Sequence, residues 1–153
     1  MTWTELETST YQHHVIVHVL GATILGWVVI EDAVHFLLDI GLLWTIYVNA
    51  EMSLMAQGVA IQDLEGDDLN GSEIEQLAAD AQLLIDEGRE ADGLKRFTAA
   101  PVECTITAVD LFAFEAARRI VIAGEQAQIK IETSPEQSTF AIEASEHRGS
   151  ANC

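Results

Sequence analysis

Lysine is nearly missing from this chain. Lys95 and Lys130 are the only two in 153 residues, and with five arginines they face 25 acidic residues. Arg89 is the first basic side chain apart from histidine. This scarcity excludes the basic stripe that phosphate recognition requires. The compact basic clusters, Lys95-Arg96 and Arg118-Arg119, are two residues each, and the second reads as the solvated end of a hairpin. No nucleic-acid partner is expected. Cysteine is equally scarce. Cys104 and Cys153 stand in no Cys-x-x-Cys or finger spacing, which excludes a redox dithiol and a zinc finger. A bridge between them would tie down only a chain end, so reduced thiols of a cytoplasmic protein are the expectation. No G-x-S-x-G elbow, phosphate-binding loop or dinucleotide-binding glycine pattern occurs. Cys104 has no identifiable histidine partner and alternates with Ile106, as a structural thiol would. No catalytic residue or organic cofactor can be assigned.

What is abundant is negative charge, −18 with histidine neutral, on a chain of which 49% is apolar. So apolar a chain is not disordered, and its length suits one domain with a core of its own. A single domain over residues 1–144, with a flexible tail at 145–153, is the expected organisation. Self-repulsion of this size destabilises a compact state unless counterions screen it. The carboxylate-rich, lysine-poor balance resembles that of proteins from salt-accumulating haloarchaea. That resemblance implies a salt-rich host and says nothing of activity.

Two apolar runs raise the question of a membrane. Val15–Ile30 and Ala33–Val48 are each slightly short of the ~18–20 residues that a spanning helix needs, and His35 and Asp39 interrupt the second. Neither run is flanked by lysine or arginine, so no orienting signal is present. The start, MTWTELETSTYQ, is acidic and polar where a signal peptide would be basic. Water-soluble β-structure is therefore expected over a membrane hairpin.

Period-2 alternation supports that expectation. Val15, Val17 and Val19 alternate with His14, Ile16, His18 and Leu20. Thr23–Ile30 is apolar on both faces, and Val34, Phe36, Leu38 and Ile40 oppose Ala33, His35, Leu37 and Asp39. From Trp44 to Leu54 the alternation continues as one strand. The first third thus predicts a four-stranded antiparallel meander. An acidic, turn-rich stretch follows, ending in Ser72 and Glu75 at capping-box spacing. Behind it Ile74, Leu77, Ala78, Ala81, Leu84 and Ile85 form one helix face, with Gly88 as its stop. A short helical turn is expected at Leu94–Phe97. Strands are expected at Cys104–Phe114, Ile120–Ala123, Ala127–Glu132 and Thr139–Ala144. The fold class is α+β: two mainly antiparallel β regions, closing as a sandwich or barrel-like core, flanking one amphipathic helix. One helix cannot cover so much apolar sheet, so the sheets must pack together or a second copy must cover them. A homo-oligomer acting through protein contacts is the leading functional expectation.

The alternative is a small metal- or ligand-binding β-barrel, an enzyme included, that uses a His/Asp cluster. His14 and His18 are four residues apart, as are His35 and Asp39. On neighbouring strands the two pairs would converge into a nitrogen and oxygen ligand set suited to Zn²⁺, Fe²⁺ or Mn²⁺. Mixed ligands on adjacent strands resemble the cupin type of metal barrel, although its His-x-His pair and glycine-rich surroundings are missing. Tyr47, Asn49 and Glu51, on the polar face of one strand, would line a ligand pocket beside them. The acidic loop Asp63–Glu73 fails the calcium-loop pattern, because Asp68 stands where glycine is required.

Overall fold

A computed structural model describes residues 2–63 and 70–146. Its centre is a strand with no exposed side. In β3 (Ala33–Leu38) all six residues are buried. It pairs with β2 (Ile24–Ile30) and β4 (Leu42–Tyr47), and β5 (Met52–Ala56) and β6 (Thr98–Ala99) complete a sheet of order β5-β4-β3-β2-β6. The second sheet has the order β1-β7-β8-β9-β10, from Thr4–Leu6, Ile106–Phe114, Ala117–Gly124, Ala127–Ser134 and Thr139–Glu146. All pairings are antiparallel. The α+β class holds, with the two β regions packed face to face.

Alternation decides which layer each side chain meets. Val34, Phe36 and Leu38 face the second sheet and join Ile106, Leu111, Ile120, Ile122, Ile129 and Ile131 in the inter-sheet core. Trp27, Phe36 and Trp44 lie directly opposite one another on β2, β3 and β4 and form a ring ladder with centroids 5.8 Å apart at each step. Leu25, Val28, Leu37 and Leu43 point the other way. There they meet Ile61 of α2 (Gln57–Asp63) and Leu77, Ala81 and Leu84 of α3 (Gly71–Glu87). The layers run helix, sheet, sheet. One edge is stitched by backbone: Ile24 N–H donates to Cys104 O at 3.1 Å and Ile106 N–H to Ala22 O at 2.9 Å.

The opening segment departs from its alternation. Thr10–Val19 is helix α1, not a strand. Ser9 and Gln12 form a reciprocal capping box, which satisfies the first-turn donors. Gln12, Val15, Ile16 and Val19 are the buried face, whereas Val17 is 51% exposed, so the expected Val15/Val17/Val19 core face is wrong. Valine-rich composition favours a strand only weakly, and capping plus burial of a 3.6-residue face overrides it. Gln12 also donates to Ala50 O at 2.9 Å, fastening α1 to the β4–β5 turn. The meander consequently starts one element later and is β2-β3-β4-β5.

The single strand expected over Trp44–Leu54 is a hairpin. Ala50 adopts φ 71° and Asn49 accepts from the Glu51 N–H, turning the chain within four residues. Tyr47, Asn49 and Glu51 are exposed around this turn and share no strand face. At α3 the cap is Asn70, which accepts from Glu73 N–H, and Ser72 lies inside the helix. Ala78 is exposed rather than on the apolar face, while Gly88 ends the helix at φ 73° as expected. The short helical turn falls at Gly88–Glu90 instead of Leu94–Phe97. Residues 64–69 of the acidic loop and 147–153 of the expected tail lie outside the described residues, and Ser145 and Glu146 belong to β10.

Asp80, an acid within α3, is 1% exposed. Its carboxylate accepts from the backbone N–H groups of Lys95, Arg96 and Phe97, the last at 2.8 Å. That clamp seats Phe97 in the helix–sheet core and delivers Thr98 and Ala99 to the edge of β2. Gly26 is required where β6 arrives, because a Cβ there would stand 2.5 Å from Thr98 O and 3.0 Å from Leu84 Cδ1. Two outcomes follow for urea unfolding. Asp80→Ala strands three backbone donors and should lower the unfolding free energy by roughly 3 kcal/mol or more. Gly26→Ala, which forces backbone apart, should cost roughly 1–3 kcal/mol.

Candidate functional site

The expected four-ligand cluster separates into three places. His14 and His18 lie one helical turn apart on α1, both exposed, with ring centroids 4.8 Å apart and planes at 77°. His35 lies in the middle of β3 and, with Ala33 and Leu37, faces the helix layer. Asp39 follows the end of β3, where its carboxylate accepts from Thr23 N–H at 3.0 Å. The geometry keeps them apart for a definite reason. Helix α1 packs beside β5 and contributes Val15, Ile16 and Val19 to the inter-sheet core. His35 is two strands away and on the opposite face of that sheet. Among the described residues, no three His, Cys, Asp or Glu side chains gather as a metal site.

What the histidine pair does line is an open groove of about 430 Å³ between α1 and the β5 edge. Tyr11, His14, Val15 and His18 form one wall, and Leu42, Leu54, Met55 and Ala56 the other. On a helix, residues 11, 14, 15 and 18 share a side, which explains the wall. Tyr11 is 56% and Met55 43% exposed, and Val59, just beyond on α2, is 52% exposed. Among the described residues no carboxylate lines the groove, on a chain where 25 residues are acidic. Sequence reading placed the histidines correctly on a shared face but by strand parity, and so missed Tyr11 and Met55. Ser9-Thr-Tyr-Gln12 has the Ser-x-x-Gln form of a capping box, and that signal identifies the helix and hence the wall.

Several other titratable groups are committed to the fold. Arg119 stacks on Trp3, its guanidinium carbon 4.3 Å from the ring, and pairs with Glu132. Arg96 bonds Gln76 at 3.0 Å and lies 3.6 Å from Glu73. Arg118 donates to the carbonyls of Glu115 and Ala117. Cys104 is fully buried with Sγ against Ala127 O at 3.8 Å, and burial pushes its thiol up to about 11. It is a protonated core side chain at neutral pH.

His35 shares a 2.8 Å hydrogen bond between Nδ1 and Thr45 Oγ1, directly opposite on β4. Burial lowers it from 6.5 to about 4, because the imidazolium would lose its water. The sign is that of a depressed base: between pH 6.5 and 4 the unfolded chain binds a proton that the folded one refuses. Stability is complete above that window and falls as the pH drops through it, by about 3 kcal/mol in all. Urea midpoints should decline over this range in the wild type more than in His35→Gln. Parallel declines would show that the imidazole is not the source. Comparison of the chain with protein-family models, curated proteins and solved structures gives no match.

Proposed function

We propose that this chain is a non-catalytic module of a salt-rich cytoplasm and works by self-association. The contact face is the one built by α1 and the β5 edge. The observation that carries this reading is a partly apolar groove whose described lining holds no carboxylate, on an otherwise acidic chain. Tyr11 and Met55 line it with exposed side chains, and among the described residues none of its lining is an acid. Two chains of charge −18 repel wherever carboxylates oppose one another. They can meet without that penalty only where carboxylates are absent from the contact. Salt helps further, since the Debye length falls from roughly 10 Å at about 0.1 M to roughly 3 Å at about 1 M. A haloarchaeal type of host, implied by the shortage of lysine, would supply such conditions. No helix among the described residues is long and apolar enough to cross a membrane.

Light scattering on the protein as isolated, in a series of KCl concentrations, tests the reading. A dimer should form at high salt, and the unfolding midpoint should rise with KCl. Met55→Glu places a carboxylate in the groove and should leave a folded monomer. A wild-type chain that is monomeric at every salt concentration overturns self-association, and a midpoint indifferent to KCl overturns the salt-rich host.

A further inference from the structure

Two imidazoles on neighbouring turns of one helix are spaced to share one ion once their side chains turn toward it. Two imidazoles on one tetrahedral Zn²⁺, with Zn–N bonds of ~2.0–2.1 Å, place their ring centroids roughly 5 Å apart. Those of His14 and His18 stand at 4.8 Å. The backbone beneath them is fixed, since α1 is capped at Ser9 and fastened through Gln12 to Ala50. Closing on an ion therefore requires side-chain torsions alone.

Two ligands do not fill a tetrahedral shell, and among the described residues the rest of the groove supplies no strong ligand. Its other lining residues are Tyr11, Val15, Leu42, Leu54, Met55 and Ala56. We infer that His14 and His18 are half of a binding site for a divalent first-row ion of the zinc type. The same two residues of a second copy, related by a twofold axis, complete it. This rests on the self-association proposed for the same face. A twofold contact is self-complementary, so a histidine pair close to the axis meets its own image, and four imidazoles complete the shell. Imidazole suits zinc, copper and nickel, whereas magnesium and calcium require oxygen ligands. Charge favours a second copy as the occupant. The carboxylate-free groove lets two acidic chains approach, and a shared cation then places positive charge between them.

The test uses the whole chain, purified without a histidine tag and stripped with chelator. It is titrated with ZnCl₂ under light scattering and with CoCl₂ under absorption, in KCl. Expected are one ion per two chains, a doubling of mass on metal addition, and the intense visible bands of tetrahedral Co²⁺. His14→Ala and His18→Ala should each weaken binding by more than the roughly 10–100-fold typical of losing a ligand's supporting partner. Both should stay monomeric, and His13→Ala, exposed on another side of α1, should behave as wild type. Circular dichroism confirms folding, and His18→Gln repeats the test if an alanine variant misfolds. A dimer that forms equally well in chelator overturns the metal bridge and leaves self-association standing. One ion per monomeric chain, or no binding, overturns the bridge, and a monomer at all salt concentrations removes both readings.

Discussion

Burial of β3 on both faces is the constraint from which the remaining architecture follows. A strand whose six side chains are all buried needs an apolar layer above and another below. On one side the second sheet supplies that layer, and on the other α2 and α3 do so. Each of the two layers needs its own fastening. The second sheet is held by backbone bonds between residues 21–24 and 104–106. The helix layer is held by Asp80, which gathers three backbone donors so that Phe97 and β6 close over the sheet edge. His35 is caught in this scheme, since its position in β3 commits it to the dry interior and to Thr45.

The same scheme leaves α1 in an unusual position. It is not a layer. It plugs the open side of the sandwich beside β5, with Val15, Ile16 and Val19 in the inter-sheet core and its opposite wall left to solvent. The groove exists because a cylinder laid against a short edge strand cannot fill the corner between them. Whatever that groove meets, it meets with aromatic, thioether and imidazole groups rather than with the carboxylates that dominate the chain. Chemistry and electrostatics thus single out one face, while other groups with reactive potential, such as Cys104, are enclosed.

Much of the fold was legible in the sequence. Four strands of the second sheet, the apolar faces of β3 and the extent of α3 follow from period 2 and period 3.6, because those periods report burial directly, whereas the three-residue β1 was not expected. The two largest failures share one cause. Over short apolar stretches the two periods coincide, as in His14–Leu20, where alternating valines also satisfy a helix face at Val15, Ile16 and Val19. A hairpin likewise preserves alternation across its turn, so Trp44–Leu54 read as one strand although Ala50 reverses it. Side-chain spacing cannot reveal a reversal that keeps each side chain on its own face.

By itself the sequence determined the fold class, the acidic character, the shortage of lysine and the pairing of His14 with His18, since a separation of four residues gives a shared face on strand and helix alike. Only the tertiary structure decided where that face points. The separation of His35 and Asp39 from the pair depends on strand order and on which side of the sheet each residue takes. Both are set by long-range packing, with α1 against the β5 edge and α3 against the far face. Asp80 shows the same limit: spacing marks it as one more helical acid, and only the loop folded over it makes it a buried acceptor.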